Sequence, residues 1–104
     1  MIQEATAKTF DSLIDTEYAV VDCYGDFCGA CVMLEPVYQE AAADLAGIRF
    51  VEINITHEWD IAERFGIDAM PTLLFFRNGQ EVHRIEGSMD REELNRQIAV
   101  MLYN

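Results

Sequence analysis

The stretch YAVVDCYGDFCGAC, residues 18–31, runs an apolar segment straight into two thiols set three positions apart. Residues 18–25 are almost continuously apolar and include two adjacent valines, the composition of a strand covered on both faces. Beyond the thiols, Leu34, Val37, Tyr38, Ala41 and Leu45 recur at helical spacing up to Gly47, which predicts a long amphipathic helix with that glycine as its C-terminal cap. Pro36 lies inside this helix, removes one backbone donor and predicts a kink. Cys28 and Cys31 therefore stand on the first helical turn, where a strand gives way to a helix.

Thiols at i and i+3 on a first turn can close a small disulfide, and the free amides there favour a thiolate. An ordinary thiol, with a pKa of about 8.5, is only a few per cent ionised at neutral pH. A helix N-terminus contributes up to ~2 kcal/mol, enough at ~1.36 kcal/mol per pKa unit to ionise about half of it. Paired thiols are also half of many zinc sites. A closed site needs two further ligands, and Cys23, His57 and His83 offer them at no recognisable spacing. Asp22 is a second chemical signal. A carboxylate inside a doubly covered strand is desolvated, its pKa rises, and it can act as a base; a hydrogen-bonded structural Asp is the other reading.

Working outward, residues 2–5 read as a short first strand and residues 9–14 as a first helix with Thr9 as N-cap. IRFVEINI, 48–55, is the next strand, and WDIAERFG, 59–66, a short helix closed by glycine. Asn78-Gly79 between apolar runs predicts a tight type I′ hairpin. Its second strand, QEVHRIEG, does not alternate cleanly and reads as a bulged edge strand. Asp90 and Glu93 form a capping-box-like start to a terminal helix with Leu94, Ile98, Met101 and Leu102 on one stripe. Parallel crossovers closed by an antiparallel hairpin make an α/β fold.

The chain has 104 residues, the size of one domain, so residues 1–104 are read as a single unit. No apolar run approaches the ~20 residues of a membrane span. The N-terminus shows no basic head and apolar stretch of a secretory signal, so a cytoplasmic location is expected. Nineteen acidic against seven basic residues give a net charge of -12, a field that repels nucleic acid and anionic lipid. Three cysteines form no even framework, which argues against a stapled secreted scaffold.

VVDCYGDFCGAC, Pro36, AMPTLLFF at 69–76, the Asn78-Gly79 turn and Gly87 before the last helix together resemble the thioredoxin family, over essentially the whole chain. The resemblance implies a thioredoxin fold, with a central mixed five-stranded sheet flanked by four helices. It implies a Cys28–Cys31 redox disulfide, Cys28 exposed and Cys31 more buried. It also implies a cis peptide bond at Pro71, packed against the pair, with Met70 offering its backbone to an extended substrate. By the same resemblance Asp22 accepts the proton of Cys31, by way of water, as Cys31 attacks the mixed disulfide. Phe27, Gly29, Ala30 and Gly87 join Met70 and Pro71 as expected substrate contacts; Met33 and Ala69, which do not rest on the resemblance, are also expected to line the apolar docking surface around the thiols.

The implied activity is reduction of protein disulfides, with a flavoprotein reductase returning the pair to dithiol and no metal or organic cofactor. Partners are then disulfide-containing target proteins and that reductase, with a monomer expected. An oxidant or isomerase of the same fold, and a binding module switched by its thiols, are the alternatives.

Several residues depart from the family pattern. Ala30 replaces a proline between the thiols, restoring a backbone donor that supports the thiolate. Phe27 and Tyr24 stand where tryptophan is common, while the only tryptophan, Trp59, is assigned to packing. Glu52 replaces a lysine facing the buried Asp, so it either shares a titration with Asp22 or points to solvent. Val32 replaces a basic residue, and Asp26 precedes the first thiol. Cys23 is assigned to core packing, and His57 and His83 to the surface.

Overall fold

Alternating apolar side chains on Tyr18–Tyr24 place Ala19, Val21 and Cys23 on one face and Val20 and Asp22 on the other. The computed structural model describes all 104 residues. Its elements are β1 (Gln3–Ala5), α1 (Phe10–Ile14), β2 (Tyr18–Tyr24), α2 (Gly29–Asp44), β3 (Arg49–Asn54), α3 (Trp59–Phe65), β4 (Thr72–Arg77), β5 (Gln80–Glu86) and α4 (Arg91–Tyr103). The strands form one five-stranded sheet in the order β1-β3-β2-β4-β5. β1, β3 and β2 run parallel, whereas β4 pairs antiparallel with both β2 and β5.

Two apolar layers cover this sheet. On one face, Phe10 and Ile14 of α1 and Ile61 of α3 pack on Val21, Cys23, Val51, Ile53, Leu74 and Phe76. On the other, Leu34, Tyr38 and Ala41 of α2 and Leu94, Ile98 and Met101 of α4 pack on Val20, Phe50, Leu73 and Phe75. The central strand β2 is thus buried from both sides, which is why its sequence lacks the alternation of a half-exposed strand. Tyr38 fastens α2 to the sheet. Its hydroxyl lies 2.7 Å from the Val51 carbonyl and 2.9 Å from that of Val20, so it can donate to either β3 or β2.

The hairpin is as expected. Asn78 and Gly79 both have positive φ, 52° and 80°, and the β4–β5 register slips between Phe75 and Phe76, leaving Val82 as the extra residue of a bulged edge strand. Gly66 caps α3 in the left-handed conformation, with its N–H donating to the Ala62 and Glu63 carbonyls.

Four local expectations need correction. α2 ends at Asp44 and is capped by Leu45, whose N–H donates to the Ala41 carbonyl. Leu45 and Ile48 both pack against the core, and the Ile48 N–H donates to the Leu45 carbonyl at 3.1 Å, so Gly47 sits inside the following turn and does not cap the helix. Thr9 stands before α1, but its hydroxyl accepts the Thr6 N–H at 2.9 Å instead of capping the helix. Asp90 caps α4 by accepting the Glu93 N–H at 2.9 Å, while the Glu93 carboxylate turns to Arg96 and Gln97, so the reciprocal half of the box is not made. Trp59 opens α3 with 62% of its surface exposed, because the inward positions of that short helix belong to Ile61 and its neighbours.

Candidate active site

β2 ends at Tyr24 and α2 begins at Gly29, with Cys28 as its N-cap. The Cys28 sulfur accepts the Cys31 N–H at 3.2 Å, so the thiol occupies the place where Ser or Asp usually caps a helix. Cys28 and Cys31 are disulfide-bonded, with their Cα atoms 5.3 Å apart. Cys28 is half-buried and Cys31 is buried. Amides at the start of a 16-residue helix therefore face whichever sulfur carries negative charge on reduction. The donor that reaches Cys28 belongs to Cys31, not to Ala30.

The bond between Met70 and Pro71 is cis. It lies across from the pair, with the Met70 carbonyl 3.7 Å from the Cys28 sulfur. Gly87 has φ 97° and donates its N–H to the Pro71 carbonyl at 2.8 Å, which ties the end of β5 to this turn. Phe27 is fully exposed, with the unusual φ of 54°, and Met70, Val32 and Met33 are also exposed. Gly29 and Ala30 form the first turn of α2 between the sulfurs. Pro71 is buried and Ala69 half-buried.

A cleft of about 560 Å³ opens beside the disulfide, lined by Tyr24, Gly25, Phe27, Cys28, Gly29, Cys31, Val32, Glu35 and Glu52. Asp22 lies beneath it, 1% exposed, and its Oδ1 has no hydrogen-bond partner. Burial, then the charges of Glu35 and Glu4, pushes the Asp22 carboxyl up to about 7. Glu52 pairs directly with Asp22 in the parallel register and is only half-buried. Burial, contact with Glu35 and the Asp22 charge raise it to about 9. Glu52 therefore faces Asp22 and Glu35, with one carboxylate oxygen of each of the three within 4.8 Å of the other two, instead of pointing to solvent.

Sequence reasoning misses Glu35. It lies one turn beyond Cys31 on α2, and that i+4 spacing is the available signal. Gly25 escapes it too. A Cβ there would meet the Met70 sulfur and lie 2.7 Å from the Thr56 hydroxyl, so these two side chains occupy the space that a side chain at position 25 would take. Asp26 serves the structure: its carboxylate accepts the Asn54 amide at 2.9 Å and lies 2.9 Å from His57 Nε2, while its N–H donates to Thr56. This pins the loop before the thiols to the loop after β3. Cys23 faces the opposite layer, fully buried, and His83, expected at the surface, is half-buried against the Phe75 ring and bonds Gln97 of α4, so both are held by other contacts.

A disulfide on the first turn of a helix, just past the C-terminal end of the central strand of this mixed sheet and beside a cis X-Pro bond, defines a class of α/β thiol–disulfide oxidoreductases. Comparison with known proteins gives the particular family. The family model described as Thioredoxin matches residues 1–100, and the chain belongs to the thioredoxin family. It is a disulfide reductase with a CXXC redox pair and has the thioredoxin fold. The thioredoxin of Chlamydia caviae is 34% identical over 98 residues, covering 94% of this chain and 96% of the relative. That of Chlamydia pneumoniae is 35% identical over 94 residues, 90% and 92% of the two chains. The crystal structure of oxidised mitochondrial thioredoxin 3 from Saccharomyces cerevisiae aligns with a TM-score of 0.86 at 29% identity, over 94% of this chain and 93% of that one.

Proposed function

We propose that residues 1–104 act as one thioredoxin domain that reduces disulfides of other proteins through a CGAC site, with Cys28 as attacking and Cys31 as resolving thiol. The Cys28 thiolate attacks one sulfur of the target disulfide, forming a mixed disulfide and releasing the other target sulfur as a thiolate. Cys31 passes its proton to Asp22 and attacks the Cys28 sulfur. The second target thiolate leaves, and the Cys28–Cys31 bond closes. Two electrons have moved to the target, and a flavoprotein reductase supplies a second pair of electrons that restores the Cys28–Cys31 dithiol.

The observation that carries this reading is the unequal burial of the two cysteines that line the cleft, with Cys28 half-buried and Cys31 only 6% exposed. Phe27, Gly29, Ala30, Met70, Pro71 and Gly87 form the docking surface, where the backbone around Met70 receives an extended target segment. The protein works as a monomer in the cytoplasm, where thiols are kept reduced. Its charge of -12 keeps it from nucleic acid, and no helix is long and apolar enough to cross a membrane.

Trapping tests the assignment. Reduced Cys31→Ser protein, mixed with a disulfide-bonded target, accumulates a covalent adduct through Cys28 that mass spectrometry locates. Cys28→Ser accumulates far less. Equal trapping by both variants would reverse or remove the assigned roles.

A further inference from the structure

Three acids converge on the floor of the cleft, and no basic group meets them. Asp22 on β2 and Glu52 on β3 are direct partners in the sheet and face α2, from which Glu35 approaches. One carboxylate oxygen of each lies within 4.8 Å of the other two. Asp22 is 1% exposed, and its Oδ1 takes no hydrogen bond. Six side-chain ion pairs occur in the chain, and none includes these residues. The further charge near them is Glu4, another acid. A buried carboxylate without a donor, crowded by like charges, needs a positive partner or protons.

We propose that Asp22, Glu35 and Glu52 bind a hard divalent cation, of the calcium or manganese type, beside the redox disulfide. The donor set is all carboxylate oxygen, which suits these ions over the softer metals that seek thiolate or imidazole. Calcium–oxygen distances of about 2.3–2.6 Å let one such ion touch three oxygens at this spacing with little movement of the side chains. The three ligands come from two adjacent strands and the facing helix, so the scaffold holds them from different sides. Glu35 and Glu52 line the open cleft, through which the ion enters and from which water completes its coordination. Ligating carboxylates must be ionised, so the ion competes with protons for all three.

Manganese ion alone is the probe. Mn²⁺ is titrated into the oxidised protein at pH 8, with the thiol pair closed, and free ion is read by electron paramagnetic resonance. One ion binds per chain, and Glu35→Gln and Glu52→Gln each weaken it about tenfold or more, since affinity follows the number of ligand charges. Glu63→Gln, an exposed acid on α3, leaves binding unchanged. Both test substitutions remove like charge from the cluster, so loss of folding does not threaten them, and circular dichroism verifies it. Wild-type protein that retains no stoichiometric Mn²⁺ at about 1 mM overturns the proposal and leaves protons as the neutralising partner. Equal affinity in wild type and both glutamine variants overturns it as well.

Discussion

Ala30 carries a backbone N–H where proline would have none. That N–H makes no hydrogen bond to sulfur, because the bond to Cys28 comes from Cys31. Its influence is therefore the field of one more free amide at the start of α2, acting on the thiolate form of the pair. Ala30→Pro removes it, destabilises the reduced state and lowers the reduction potential by roughly 10–30 mV, where about 30 mV corresponds to 1.4 kcal/mol. Redox equilibration of both proteins against glutathione measures the difference, and a variant with an equal or higher potential contradicts it. Legibility at this scale is uneven. Asp22 stands out as a carboxylate in a doubly covered strand, but its coupling to Glu52 depends on the β2–β3 register, which residue spacing does not contain. Glu35 reads as one more polar position on a helix, and Trp59 reads as core, although the short helix α3 turns it outward.

Helices and strands are more legible than their ends. β2, β4 and the hairpin follow from burial on two faces and from Asn78-Gly79, signals that tertiary packing reinforces. Caps are less legible, because Thr9, Gly47 and Glu93 each have a rival partner or a nearby apolar contact that settles the chain differently. α2 matters most for the site, since it carries Cys28, Cys31 and Glu35 together. Tyr38 holds it down from the buried side, with one hydroxyl between two strand carbonyls. Tyr38→Phe keeps the ring and its edge-on contact with Phe50 but loses that bond. A cost of about 1 kcal/mol is expected, or about 4 °C in Tm. Thermal unfolding checks it, and an unchanged Tm removes the hydroxyl from the account of how α2 is seated.

Across the molecule the charge of -12 is the dominant long-range quantity. Most acids are solvated on the surface, and the six ion pairs leave the majority of them without a basic partner. Such a surface repels itself and favours expansion of the chain. Raising NaCl from about 10 mM to about 150 mM shortens the Debye length from about 30 Å to about 8 Å. Tm should therefore rise by a few degrees, about 4 °C for each kcal/mol of repulsion relieved. A Tm that stays level or falls across this range shows that the acids lie too far apart to oppose folding.

Cys23, sealed between β2 and the α1–α3 layer, has a practical consequence of its own. In the oxidised protein it is the one sulfhydryl left, and no reagent reaches it while the sheet stays closed. Its alkylation rate is thus a native clock for opening of the central strand, readable by mass on unlabelled protein.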